Sequence, residues 1–251
     1  MLEGVVSVEK VLKELVAKLR EFVGLNLKSV VLYGSAAAGE FHPKHSDLNV
    51  LCLLDRIDQA ELQKLNPVVT WWIRKGHPAP LFLTLKELAT SADVFAIEFL
   101  DIKSRNRVLH GEDVFAALDV PLDQHRLQVE HDLRVNLLRL RQGSLEAVRD
   151  PRALLRLMTK SISSFAALFR HALIALGEPP PQGNRQAVDR LAGLLGFDAA
   201  PFHTVFDVRE GKRRERDVDA AATFAAYLKG VARVTDEVDR RLARGEKHPA
   251  E

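Results

Sequence analysis

Two short groups of polar residues lie near residue 40 of the chain, each at the end of an apolar run. Gly34 and Ser35 follow a β-branched run, and Ser46, Asp47 and Asn49 lead into a second apolar run. A strand that enters a helical turn through Gly-Ser presents backbone N–H groups and a hydroxyl, which bind phosphate. Asp47 and Asn49 are two residues apart, so on a strand both side chains point to the same face. Oxygen ligands beside a phosphate site are typical of a divalent-cation site for a triphosphate.

The pattern around these residues predicts a small unit of alternating strands and helices over residues 1–118. Apolar spacing predicts a first helix at residues 6–23 and another at 58–75, which Pro67 should break. Runs rich in β-branched or apolar residues are predicted to be strands: residues 29–33, 47–54, 80–85 and 94–102. The second of these runs does not alternate, which indicates burial on both faces.

Residues 119–251 have a helical pattern and no strand-like run, so we predict an all-α helical bundle as a second domain. Helices are predicted at residues 122–142, 152–176, 185–195, 199–208 and 217–244. The most apolar of these, 152–176, is the expected centre of the bundle. The predicted fold class is therefore α+β, a small mixed sheet with flanking helices followed by the bundle.

Composition excludes several classes of protein. The chain is 47% hydrophobic and 28% charged, which excludes wholesale disorder. Its one cysteine, Cys52, cannot pair within the chain, and neither a signal-type core nor an apolar run of about 18 residues occurs, so we expect a cytoplasmic protein without a membrane span. A net charge of +2 does not indicate binding to nucleic acid. Composition does not distinguish a monomer from a homodimer.

The Gly-Ser group and the Ser-Asp-x-Asn group together resemble the nucleotidyltransferase superfamily of DNA polymerase β type, whose signature is Gly-Ser, a spacer and Asp-x-Asp. The domain order is similar to that of the kanamycin nucleotidyltransferase and minimal nucleotidyltransferase branches, although the motif resemblance covers mainly residues 30–54. It implies magnesium-dependent transfer of a nucleoside monophosphate from a nucleoside triphosphate to an unidentified hydroxyl acceptor. Gly34, Ser35 and Ser46 would then bind the nucleotide.

The metal ligands and catalytic residues that the resemblance implies are Asp47, Asn49 and a third acid on a later strand. Glu98 and Asp101 are the candidates, and on a strand their odd separation would place them on opposite faces. We favour Glu98 because its neighbours are more apolar. The plain alternative is a buried acid paired with Arg105 or Arg107.

Asn49 departs from the family pattern, which has a second aspartate at this position. An amide oxygen can bind magnesium but brings no charge, so the metal that assists the attacking hydroxyl should be weakened. The alternative function is therefore a catalytically degenerate nucleotidyltransferase fold that acts as a nucleotide-binding or protein-interaction module. A third reading, an RNA-binding module, is disfavoured by the mild charge and by the lack of an aromatic-studded strand.

The motif residues also have plain structural interpretations. Gly34 and Ser35 are compatible with an ordinary strand-to-helix turn in which serine caps the helix, and Asp47 with a carboxylate that caps a turn. His42 and His45 could join Asp47 in a metal cluster, but solvated loop residues explain them more simply.

Further candidates lie outside the motif. Trp71 and Trp72 could stack on a base, although apolar anchoring of a helix explains them better. The resemblance also implies a general base on a helix of the second domain, for which Glu130 is the candidate, and pairing with Arg134 one turn later is its plain alternative. The remaining basic residues fit solvated surfaces as well as phosphate contacts: Arg139, Arg141, Lys212, Arg213 and Arg214.

Overall fold

The computed structural model of the chain describes residues 2–37, 47–181 and 183–243. The chain divides into two compact units, Met1–Pro121 and Leu122–Glu251. Of the candidates above, His42, His45 and Ser46 lie outside the described residues.

The first unit is built on a four-stranded mixed sheet with strand order β3-β2-β1-β4. β1 is antiparallel to both β2 and β4, and β2 is parallel to β3. The strands are β1 (Leu27–Tyr33), β2 (Asn49–Leu54), β3 (Leu81–Thr84) and β4 (Asn106–Gly111). The helices are α1 (Leu2–Val23), α2 (Gln59–Arg74), α3 (Leu85–Thr90) and α4 (Ala96–Ser104), with 3-10 turns at Gly24–Asn26 and Gly34–Ala36.

Both faces of the central strands are covered by helices. Val50, Cys52 and Leu54 of β2 face one core, to which α1 and α2 contribute. Leu51 and Leu53 face a second core, to which α3 and α4 contribute. The prediction that the non-alternating second strand is buried on both faces is confirmed.

Two sequence predictions in this unit are wrong. Residues 94–102, predicted as a strand, form most of helix α4, because its buried residues Ala96, Phe99 and Ile102 recur every three positions. Pro67 does not break α2, in which it lies inside one continuous helix. Leu65 and Val68 are buried on either side of exposed Pro67, and this packing outweighs a cost of about 3 kcal/mol for an interior proline.

The second unit is helical throughout its described residues, as predicted. It contains α5 (Leu122–Ala147), α6 (Pro151–Ala175), α7 (Asn184–Leu195), α8 (Ala200–Arg209) and α9 (Ala220–Ala243), with a 3-10 turn at Glu215–Asp217. α6 packs against each of the other four helices, so it is the centre of the bundle, as its apolar sequence predicts. The predicted α+β fold class is therefore confirmed. No described helix of the chain is long and apolar enough to cross a membrane.

Candidate functional site

The two polar groups that the sequence singles out meet at one end of the sheet. Tyr33, the last residue of β1, pairs with Asn49, the first residue of β2. Gly34 follows with φ +78°, a left-handed conformation that favours glycine. A Cβ atom added to Gly34 would lie 3.4 Å from Nδ2 of Asn49. The turn after β1 and the start of β2 are therefore in direct contact.

The backbone N–H of Gly34 is already engaged. It donates to the carbonyl oxygen of Arg105 at 3.2 Å, while the Gly34 carbonyl accepts from the Ala37 N–H at 3.1 Å. This N–H is therefore not available to a bound anion, and the part that Gly34 plays in the site is conformational. Ser35 lies within the 3-10 turn Gly34–Ala36.

Asp47 lies two residues before β2 and is exposed, whereas Asn49 is half-buried. Because side chains alternate along a strand, Asn49 lies on the same face as Leu51 and Leu53. This is the face covered by α3 and α4. The start of β2 thus presents the Asn49 amide beside the Gly34 turn, and the exposed Asp47 precedes it by two residues.

A row of uncharged polar side chains crosses the sheet at this end. Tyr33 pairs with Asn49 on one side and with Asn106 of β4 on the other. Residues directly opposite each other in antiparallel strands point to the same face. Burial raises the pKa of the Tyr33 phenol, so this hydroxyl stays protonated near neutral pH. Sequence reasoning missed Tyr33 and Asn106 because it did not predict β4.

His77 is a third residue near the site that sequence reasoning missed. β2 and β3 are parallel with Leu51 opposite Leu81, so the segment before β3 approaches the sheet end at which β2 begins. Burial lowers the pKa of His77, and the Asp47 carboxylate opposes this shift. The imidazole packs on Trp72 with ring centroids 4.4 Å apart, and Trp72 Nε1 donates to the Pro78 carbonyl at 2.8 Å. The loop before β3 is therefore held beside Asp47.

Glu98, the predicted third acid, is not on a strand. It lies in the first turn of α4 and is exposed, and Asp101 follows one turn later on the same helix. The strand argument that separated Glu98 from Asp101 therefore does not apply. Neither β3 nor β4 contains an Asp or Glu residue. Within the described ranges, no three His, Cys, Asp or Glu side chains form a group that could hold a metal ion.

The described oxygen donors fit one magnesium ion better than two. Magnesium is usually held by one or two carboxylates together with the phosphates of its substrate. Asp47 supplies a carboxylate and Asn49 an amide oxygen at the same strand end. A triphosphate would supply the remaining ligands.

Three further candidates, Trp71, Trp72 and Glu130, make structural contacts. Trp72 is fully buried in the core between α1, α2 and the sheet, and Trp71 is half-buried beneath the amines of Lys18 and Lys75. Glu130 accepts a 2.7 Å hydrogen bond from Arg134. Arg134 also pairs with Asp239 at 3.0 Å. The apolar-anchor interpretation of Trp72 is therefore confirmed, and Glu130 forms the surface pair expected of its plain alternative.

A mixed sheet with a glycine turn beside an acidic strand start, followed by a helical unit, is the architecture of a nucleotidyltransferase fold. Among solved structures, the chain is similar to spectinomycin adenyltransferase AAD(9) from Enterococcus faecialis, solved with ATP and spectinomycin. The match has a TM-score of 0.51 and 15% identity, and it covers 88% of this chain and 98% of that chain. This similarity confirms the fold expected from the sequence resemblance. No protein-family model and no curated protein matches the chain.

Proposed function

We propose that this protein binds a nucleoside triphosphate at the Gly34 turn and transfers its nucleotidyl group to a hydroxyl acceptor. The observation that carries the proposal is the contact between the Gly34 turn and the start of β2, with 3.4 Å between the added Cβ position and Asn49 Nδ2. This contact joins the turn after β1 to the start of β2, and Asp47 precedes that strand by two residues. The similarity to an adenyltransferase solved with ATP supports the same assignment.

Each motif residue has a part in this proposal. Gly34 adopts a left-handed backbone at the end of β1, and Ser35 and Ser46 are the proposed phosphate contacts. Asp47 and Asn49 would hold magnesium, which would neutralise charge on the phosphate oxygens. Glu98, which is exposed in the first turn of α4, is the proposed third acid.

The proposed reaction is an in-line displacement. The acceptor oxygen forms a bond to the α-phosphorus, the bond from this phosphorus to the bridging oxygen of the β-phosphate breaks, and pyrophosphate leaves. The protein contributes position and electrostatic stabilisation rather than a covalent intermediate. The hydroxyl can belong to a small molecule, a protein side chain or an RNA end, and the described site does not select among these.

A second candidate function is nucleotide binding without transfer. It is favoured by a specific observation, the three uncharged side chains Asn49, Tyr33 and Asn106 that cross the sheet beside Asp47. A protein of this kind would use nucleotide as a signal or as a structural ligand. Only the first candidate function, nucleotidyl transfer, releases pyrophosphate, so measuring pyrophosphate distinguishes the two.

Calorimetric titration of ATP and the other nucleoside triphosphates, with and without magnesium, tests the proposal. We expect magnesium-dependent binding to the wild type and a loss of about tenfold or more in Asp47→Ala, since a charged ligand contact contributes about 1.5–3 kcal/mol. Asp55→Ala is the matched control, because Asp55 is exposed just beyond the opposite end of β2. Binding of no nucleotide, or equal affinity in Asp47→Ala and the wild type, would contradict the proposal.

A further inference from the structure

We propose that the helical unit binds single-stranded RNA through its phosphodiester backbone, on a basic face formed by residues 150–160 and 209–217. The inference goes beyond the proposed function and does not depend on it, since this face belongs to the second unit alone. It includes Lys212, Arg213 and Arg214, which the sequence alone fits to a solvated surface or to phosphate contacts. Together the two segments hold eight basic and four acidic residues, so their net charge exceeds the +2 of the whole chain.

The first part of the basic face is a stripe along the first turns of α6. Arg152, Arg156 and Lys160 are exposed and lie four residues apart. They therefore project from one side of the helix and recur about every 6 Å along its axis. Asp150 caps the helix and lies 3.7 Å from Arg156, whereas Arg152 and Lys160 make no salt bridge within the described residues.

The second part of the basic face is the segment that joins α8 to α9. All residues from 209 to 217 are exposed, and five of them are basic. Lys212 pairs with Glu210 at 2.6 Å, and Arg214 pairs with Asp217 at 2.8 Å. The other three basic residues make no salt bridge with any residue that the structure describes: Arg209, Arg213 and Arg216.

The two parts lie at the same end of the bundle. In its first half α9 contacts α6 through Tyr227 and Ser161, whose hydroxyl oxygens are 3.1 Å apart. Near the end of α9, Arg241 donates to the carbonyl of Leu176, just beyond the end of α6, at 3.2 Å. The two helices therefore run side by side in the same direction. The segment that precedes α9 is thus level with the first turns of α6.

Two of the arginines without a salt bridge are positioned by uncharged oxygen atoms. Arg209 donates to the carbonyl of Thr159 at 3.3 Å, which joins the α8–α9 segment to the α6 stripe. Arg213 donates to the Thr204 hydroxyl at 3.2 Å. These contacts orient both guanidinium groups without neutralising them, so their charge can pair with phosphate oxygens.

The chemistry of the basic face suits a phosphodiester backbone. Arginine and lysine contacts to phosphate supply the sequence-independent part of nucleic-acid binding. A flexible single strand can follow a line of cations. Neither segment exposes a large apolar side chain, which insertion into a bilayer surface requires. Neither contains an aromatic residue, so base stacking does not contribute, and we expect binding that is independent of base sequence.

An acidic residue between the cations favours RNA over DNA. Glu215 is exposed between Arg214 and Arg216 and makes no salt bridge within the described residues. A carboxylate repels phosphate but accepts a hydrogen bond from a ribose 2′-hydroxyl, which DNA lacks. Cations with such an acceptor beside them are therefore better matched to RNA.

The test measures binding of a fluorescein-labelled oligouridine of about 16 nucleotides by fluorescence anisotropy. Salt is varied from about 50 to 200 mM, and we expect the affinity of the wild type to fall steeply over this range. Arg152→Glu/Lys160→Glu and Arg213→Glu/Arg216→Glu should each weaken binding about tenfold or more. Each pair should also reduce the slope of log affinity against log salt, by about 0.7 for every phosphate contact removed.

Arg74→Glu/Lys86→Glu is the matched control, because it makes the same change in net charge at two exposed positions of the first unit. It should bind the oligouridine like the wild type. Far-ultraviolet circular dichroism verifies that each variant is folded before binding is measured. The oligodeoxyuridine of the same length and vesicles containing phosphatidylserine are the competing ligands, and both should bind more weakly than the RNA.

The outcomes separate this inference from the proposed function. Absence of RNA binding by the wild type at low salt would overturn the inference, as would wild-type affinity in both folded variants of the basic face. A loss in the control equal to theirs would show an effect of overall charge alone and overturn it too. Equal or tighter binding of the DNA or of the vesicles would overturn the assignment of RNA. Loss of ATP binding would instead overturn the proposed function and leave RNA binding intact.

Discussion

Glu61 is a buried carboxylate whose partners tie three segments of the first unit together. Its side chain accepts from Lys64 Nζ at 2.7 Å and from Asn26 Nδ2 at 3.0 Å, and it lies 3.8 Å from Arg56. Asn26 also donates to the Arg56 carbonyl and accepts from the N–H groups of Asp55 and Arg56. The start of α2, the loop after β2 and the turn before β1 are therefore linked through one charged group and one amide.

Replacement of Glu61 by glutamine should remove stability in a pH-dependent way. The hydrogen bond from Lys64 is the largest cause that lowers the pKa of Glu61 from its usual value of 4.5. A depressed pKa stabilises the fold above the unfolded-state pKa, and this contribution is lost as pH falls through the folded-state pKa. We therefore expect urea unfolding to show Glu61→Gln less stable than the wild type at neutral pH, with the gap closing below about pH 4.

Glu14→Gln is the control for this comparison. Glu14 is exposed and lies 3.8 Å from Lys18 on the surface of α1. Surface pairs of this type contribute about 0–1 kcal/mol, so this variant should stay close to the wild type. A gap between Glu61→Gln and the wild type that widens in acid would contradict the assigned role of Glu61.

At the scale of elements, helix spacing predicts the long helices and also the shorter α7 and α8, but it fails for α4. The long helices α5, α6 and α9 were all predicted, because an apolar stripe repeated over many turns has one interpretation. The nine residues of α4 were predicted as a strand, since a short apolar run fits either structure. β4 was not predicted, because its sequence Asn-Arg-Val-Leu-His-Gly has few β-branched residues.

Substitution of alanine for two helical glycines of the second unit should change the stability of the protein in opposite directions. Gly193 in α7 has no atom within 4 Å of an added Cβ, so Gly193→Ala should stabilise the protein by about 0.5–1 kcal/mol. An added Cβ on Gly230 in α9 would lie 2.7 Å from the Phe202 ring and 3.1 Å from Phe197. Gly230→Ala should therefore destabilise the protein by about 1–3 kcal/mol through overpacking, despite its better helix propensity.

Denaturant unfolding of both glycine variants measures this difference. Opposite signs of the change in free energy of unfolding are the expected result. Equal stabilisation by the two substitutions would mean that the aromatic cluster around Phe202 moves aside without cost.

At the scale of the whole molecule, each unit has its own core and its own most protected element. Val30, Val31 and Leu32 of β1 are essentially fully buried, and Leu51, Cys52 and Leu53 of β2 are inaccessible. In the second unit, the centre of α6 is buried at Ile162, Phe165, Ala166 and Phe169. The edge strand β3 is more exposed, with Leu81 at 44%.

Native-state hydrogen exchange should rank these elements. Amides that open only by global unfolding exchange most slowly, and these lie in well-buried elements. We expect the slowest exchange in the middle of β1 and β2 for the first unit and in the middle of α6 for the second. Slower exchange in β3 than in β1 would contradict the assignment of the core.

The sequence by itself determined the fold class and the helical second half, and it identified the Gly34 turn and the Asp47–Asn49 segment at the ends of two apolar runs. These features are encoded locally, since apolar periodicity sets each long helix and a two-residue spacing on a strand sets which side chains share a face. Burial of β2 on both faces followed from its unalternating apolar composition.

The tertiary structure alone decided which residues surround Asp47. Asn106 lies opposite Tyr33 through a strand pairing far apart in sequence, and the Asp47 carboxylate acts on the pKa of His77. Strand register of this kind depends on the packing of both sheet faces and leaves no short-range pattern. Glu98 is favoured as the third acid in the sequence because its neighbours are apolar. In the structure those neighbours lie on a helix, where Ala96, Phe99 and Ile102 face the core and Glu98 is exposed.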